Sequence, residues 1–96
     1  MRKSFLVCYD IRDAKRLRHV HRIVKGYGES WQYSIFLCVL KAIDRVRLQA
    51  ELEEVMNLRD DQCLLIDLGE DLDKAHAAAT VLGQSLAAVE RGTVVI

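Results

Sequence analysis

The sequence predicts an α+β sandwich, a small sheet with two helices packed on one face in the split βαβ arrangement. Three observations predict it. Runs rich in apolar, branched and aromatic residues recur at 4–10, 31–40 and 62–68, as strands require. Two segments between them carry apolar residues at helical spacing. Finally, 96 residues with no proline and five glycines make one domain with little linker or disorder.

Residues 4–10 read as the first strand, ending Tyr9-Asp10. Residues 13–26 read as a helix: Asp13 caps its start, and Leu17, Val20 and Val24 share one face. Gly26 and Gly28, either side of Tyr27, end it. Residues 31–40, Trp-Gln-Tyr-Ser-Ile-Phe-Leu-Cys-Val-Leu, read as one continuous second strand. A second helix follows at roughly 44–57, capped by Asp44 and burying Leu48, Leu52, Val55 and Met56. Asp60-Asp61 makes a turn, and Gln62–Leu68 forms a further strand. Beyond it, 71–79 is helical by its alanine content, Thr80–Leu82 reads equally as a short strand, and Thr93–Ile96 reads as a terminal strand.

The strands hold a clue to assembly. A sheet with helices on one face and water on the other alternates apolar and polar residues. Leu64-Leu65-Ile66 and Ile35–Leu40 are apolar on both faces, and two helices cover only one. The pattern therefore predicts a homodimer packed sheet against sheet, with Thr93–Ile96 adding to the partner's sheet edge.

The formal charge is zero but polarised. Residues 1–47 hold eleven Lys/Arg and four Asp/Glu, whereas 48–96 hold three and ten, so the halves carry +7 and −7. A basic surface of this kind suits an anionic partner such as nucleic acid. Cys8, Cys38 and Cys63 are odd in number and scattered through apolar runs, which points to a reducing compartment and not a disulfide framework. Apolar runs stay far short of a membrane span, and Phe5–Tyr9 is too short for a secretory segment. The expectation is a cytoplasmic protein with no membrane partner.

Asp10 is the first candidate for chemistry. Facing its own copy across a dimer axis, it would form a pair of carboxylates whose repulsion a shared divalent ion such as Mg²⁺ relieves. Equally, aspartate is a common turn residue before a helix. Lys15, Arg18, Arg22 and Lys25 follow helical spacing, with Arg16 and His19 beside them. They read either as a phosphate-binding row or as a solvated face. Tyr9, Trp31, Tyr33 and Phe36 read either as a base-stacking platform or, since Trp31 and Tyr33 point one way and Phe36 the other, as core or dimer packing, the reading preferred. His19, His21 and His76 show no metal-binding spacing and read as surface or local-packing residues. Ser34 lacks a base or a nucleophile elbow and reads as a hydrogen-bonding group near Asp10. Asp67, a carboxylate in an apolar strand, is a second ionisable candidate.

Taken together, Val7-Cys8-Tyr9-Asp10-Ile11, a basic helix with Arg16 and Arg18, Tyr27-Gly28 and Gln32-Tyr33-Ser34-Ile35-Phe36 resemble the CRISPR-associated Cas2 family, small adaptation proteins that partner the CRISPR integrase. The resemblance is strong over 4–40, fair through 68 and weak after Gly69. It implies a ferredoxin-like β-α-β-β-α-β sandwich over 1–96, a homodimer, and a strand near Thr80–Leu82. It also implies Asp10 as catalytic metal ligand, supported by Tyr9, Ser34 and Phe36, with Mg²⁺ or another divalent cation shared between protomers. Lys15, Arg16, Arg18 and Arg22 would then bind nucleic acid. Family members include metal-dependent endonucleases on RNA or double-stranded DNA, and dimers that hold DNA between integrase subunits without cutting. A toxin-like endoribonuclease of the same fold is the alternative. Two departures stand out. Glu29-Ser30-Trp31 lies where the family often has a basic residue, and Leu37 where it often has glutamate; both bear on nuclease activity more than on fold or assembly.

Overall fold

The structure, a computed structural model, describes residues 1–86. Its elements run β1 (Arg2–Asp10), α1 (Ala14–Lys25), β2 (Glu29–Gln32), β3 (Ile35–Lys41), α2 (Ala42–Val55), β4 (Gln62–Gly69) and α3 (Lys74–Ala78). The sheet order is β2-β3-β1-β4, with every neighbouring pair antiparallel. The first six elements have the β-α-β-β-α-β order of a ferredoxin-like sandwich.

Strand parity sorts the side chains. Phe5, Val7 and Tyr9 of β1, with Phe36, Cys38 and Leu40 of β3, turn to the helices and meet Val20, Val24, Leu48 and Leu52 in one buried cluster. Burial pushes the Cys38 thiol up to about 12 and the Cys63 thiol to about 11, so neither is a thiolate near neutrality. On the opposite face Leu64, Ile66 and Val39 are 47%, 41% and 36% exposed. These are the residues whose two-sided apolar pattern the sequence displays.

The segment 31–40 is not one strand. It breaks at Tyr33-Ser34 into the β2–β3 hairpin, because Tyr9 holds the turn from outside. The Tyr9 hydroxyl donates to the Tyr33 carbonyl at 2.7 Å, and the Tyr9 N–H donates to the Ser34 carbonyl at 3.0 Å. Gly28 permits this hairpin to close on β3, since a Cβ there would lie 2.4 Å from the Leu37 carbonyl oxygen and 2.5 Å from Cys38 Sγ.

Helix α1 is capped as expected, with Asp13 accepting from the Arg16 N–H at 2.9 Å. Val20 and Val24 are fully buried, but Leu17 is 39% exposed and lines a cavity instead of the core. Helix α2 starts earlier than the sequence suggests. Its N-cap is Lys41, without a side-chain cap bond, and Asp44 sits in the first turn paired with Arg47, where a carboxylate complements the helix dipole. The helix predicted over 71–79 shrinks to α3, and Thr80–Leu82 forms neither helix nor strand. The expected Thr93–Ile96 strand lies outside the described residues. Among those residues, no helix is long and apolar enough to cross a membrane.

Candidate nucleic-acid interface

Where β1 ends, α1 begins and the β2–β3 turn folds back, the three enclose a cavity of about 670 Å³. Its floor is apolar, from Tyr9, Ile11 and Leu17. Asp10 and Ser34 border it on the sheet side, and Tyr33, 76% exposed, on the turn. The helix contributes Arg18, His21, Arg22 and Lys25, which recur at intervals of three and four and so share one face. Arg18, Arg22 and Lys25 make no ion pair among the described residues.

Asp10 is an exposed carboxylate, its side chain 61% accessible, and it contacts the Arg12 guanidinium at 3.3 Å. Among the described residues, no group of three His, Cys, Asp or Glu could hold a metal. One accessible carboxylate nevertheless fits a hydrated divalent ion, because Mg²⁺ commonly keeps several waters and takes one or two carboxylates. A second carboxylate would have to come from outside the protomer.

The cations do not act alike. Lys15 is exposed and lies outside the cavity lining, whereas Arg16 is committed elsewhere. Its Nε and Nη2 reach the two Asp61 oxygens at 2.9 and 3.2 Å. Asp61 also accepts from the backbone N–H of Arg12 and of Asn57, each at 2.9 Å, and its side chain is fully buried. The Arg16 hydrogen bond and these two amides hold the Asp61 carboxyl well below the usual carboxylate range. Arg16, expected on phosphate, thus clamps the β1–α1 junction to the turn before β4. Asp61 had looked like an ordinary turn residue. The only sequence signal for its role was an Asp-Asp pair next to an apolar strand.

Behind the cavity, Phe36 is fully buried, its ring 6.3 Å from Tyr9 and 5.4 Å edge-on from His21. His21 Nδ1 lies 2.8 Å from the Tyr9 hydroxyl and 3.2 Å from the Tyr33 carbonyl. Burial, with a smaller contribution from Cys63, pushes the Tyr9 hydroxyl far above its ordinary range, so it remains a donor. Neither the placement of His21 nor that of Tyr33 was legible from spacing. Asp67 pairs with Lys3 at 3.3 Å and accepts from the Gly69 N–H at 2.8 Å, apart from the cavity.

Comparisons with known proteins agree with this architecture. A family model described as CRISPR associated protein Cas2 matches residues 3–75. The chain is similar to the CRISPR-associated endoribonuclease Cas2 1 of Rhodospirillum rubrum, 37% identical over 95 residues, covering 97% of this chain and 90% of that protein. Among solved structures, a Streptococcus pyogenes Cas2 superposes with a TM-score of 0.72 at 27% identity, covering 83% of this chain and 99% of that one. A hypothetical protein from Thermus thermophilus superposes with a TM-score of 0.74 at 25% identity, covering 88% and 94%.

Proposed function

The chain belongs to the CRISPR associated protein Cas2 family, and from that premise we propose that it is a CRISPR adaptation protein whose dimer binds nucleic acid and cuts phosphodiesters at Asp10 with a divalent cation. The observation that carries this reading is the shared cavity: an accessible carboxylate shares it with a helix presenting three cations that make no ion pair among the described residues. Arg18, Arg22 and Lys25 would bind consecutive phosphates and bring the strand to Asp10. A cation on Asp10 would supply charge stabilisation at the phosphorus and an activated water. The relatives' name, endoribonuclease, favours RNA as the strand cut.

The exposed Val39, Leu64 and Ile66, on the sheet face turned away from α1 and α2, support a homodimer through that face, since exposed apolar surface of this kind suits an interface. In that dimer a second Asp10 would complete the cation site, double-stranded DNA would lie across both basic helices, and the integrase would dock on the assembly.

A second reading, a scaffold that holds DNA without cutting, is favoured by the Arg12–Asp10 contact and the lone carboxylate. One experiment separates them. Labelled RNA and duplex DNA are incubated with wild type and Asp10→Asn, with and without Mg²⁺. Mg²⁺-dependent cleavage lost in the variant, with binding retained, supports the nuclease. Binding without cleavage by either protein leaves the scaffold, and failure to bind either nucleic acid refutes both.

A further inference from the structure

The geometry points to His21 Nε2 as the proton acceptor of this site, an inference that rests on the nuclease reading above. The argument begins with counting hydrogens. Three polar atoms, Tyr9 Oη, the Tyr33 carbonyl oxygen and His21 Nδ1, lie within 2.7–3.2 Å of one another. The carbonyl only accepts, and the phenol has one proton to give. If Nδ1 were bare, that single proton would serve two acceptors, the carbonyl oxygen and Nδ1, and would leave their lone pairs facing each other. With Nδ1 protonated every contact is satisfied: the phenol donates to the carbonyl, and Nδ1–H donates to the phenol oxygen and, at longer range, to the same carbonyl. The network therefore selects the Nδ1–H tautomer, and the neutral ring carries its lone pair on Nε2.

Nε2 lies across the ring from this network, on a side chain that lines the cavity. It has no protein partner among the described residues. Protonation adds a hydrogen at Nε2 and leaves the bonds at Nδ1 in place, so His21 can take and release a proton without disturbing the Tyr33 turn. Phe36 fixes the ring plane from below. The charged and titratable groups around it are Arg18, Arg22 and Lys25 on its own helix, Tyr9 and Asp10 on β1, and Tyr33 in the turn. Three of them are cations suited to bringing a phosphodiester within reach.

In the step itself, a water oxygen forms its bond to phosphorus while one of its protons passes to Nε2. The bond from phosphorus to the leaving ribose oxygen breaks, that oxygen takes a proton from solvent, and the imidazolium returns its proton to solvent. The sum is hydrolysis of one phosphodiester by one water.

His21→Asn separates proton transfer from positioning. Its amide can donate from near the Nδ1 position to Tyr9 Oη and the Tyr33 carbonyl, but it offers nothing at Nε2. The inference expects kcat to fall by roughly 10²–10⁴-fold, with KM and melting temperature close to wild type and the acidic limb of the pH–rate profile abolished. Wild-type kcat with that limb intact in His21→Asn overturns it, because a positioning role alone predicts that result. Imidazole ¹⁵N NMR on the wild-type protein gives a readout independent of turnover: Nδ1–H with bare Nε2 is expected, and Nε2–H refutes the tautomer argument. If wild type cuts neither RNA nor DNA, the nuclease reading has failed and takes this inference with it. An active wild type with an unaffected variant sinks the inference alone.

Discussion

Arg16 and Arg18 are two residues apart on one basic helix, and the function proposed above gives them different work. Arg18 lines the cavity without an ion pair among the described residues, whereas Arg16 is bound through two nitrogens to buried Asp61. Each phosphate contact contributes about 0.9 to the slope of log K against log salt on duplex DNA, and about 0.7 on a single strand. Replacing Arg18 with Gln should lower the slope by that amount for each protomer engaged. On duplex DNA the triple change of Arg18, Arg22 and Lys25 to Gln should lower it by about 2.7 for each protomer engaged, so that for each protomer roughly 40-fold of the affinity otherwise lost between 50 and 200 mM salt is no longer lost. Arg16→Gln should leave the slope almost unchanged and reduce the melting temperature instead, since Asp61 loses two charge-assisted bonds inside a buried site. Fluorescence anisotropy across a salt series, alongside thermal unfolding, measures both quantities. If Arg16→Gln flattens the slope as much as Arg18→Gln does, the division of labour between them is wrong.

Three further outcomes follow from the same geometry. Gly28→Ala places a Cβ 2.4 Å from the Leu37 carbonyl oxygen, and overpacking against backbone costs about 1–3 kcal/mol. Urea unfolding should show a fall in that range with an unchanged m-value. The Asp61 carboxyl is held below its ordinary range, so its contribution to stability is complete above about pH 4, the unfolded value. It is lost as pH falls further, toward the folded value. Asp61→Asn should therefore be less stable than wild type at neutral pH, with the gap narrowing below about pH 4 in pH-dependent melting. Leu48→Ala empties a fully buried position between α2 and the sheet and should cost about 2–5 kcal/mol by the same unfolding assay.

Most of the fold could be read from periodicity, because strands and helices that bury one face must carry their apolar residues at fixed intervals. The exceptions have physical causes. Tyr33-Ser34 contains no glycine, proline or asparagine, and its turn is held by two bonds from Tyr9, twenty-four or so residues earlier. A break made by tertiary contacts leaves no local trace. Leu17 keeps helical spacing with Val20 and Val24, yet it is 39% exposed and lines the cavity, and spacing alone does not say which residues of an apolar stripe the sheet covers. Asp44 misplaced the start of α2 because the actual cap, Lys41, contributes no side-chain bond. At the site, Asp10 and the cationic row were visible as residue types. The commitment of Arg16 to Asp61 and the triad of Tyr9, Tyr33 and His21 depend on contacts between distant segments.

The two departures from the family pattern gain a structural meaning from where they fall. Glu29 and Leu37 are register partners on neighbouring strands, and Leu37 is only 2% exposed. Glu29 pairs with His76 of α3 at 3.0 Å, and the Trp31 ring lies 5.3 Å from the His76 ring. Glu29 and Trp31 thus meet α3 through His76, and Leu37 lies beside Glu29 across the strand pair. None of them lines the cavity containing Asp10, Arg18, His21, Arg22 and Lys25. A glutamate at 37 would put a carboxylate at a buried position beside Glu29, which costs several kcal/mol unless it is paired, whereas leucine leaves Glu29 to His76. The departures therefore lie away from the cavity, whose chemistry rests on its own residues.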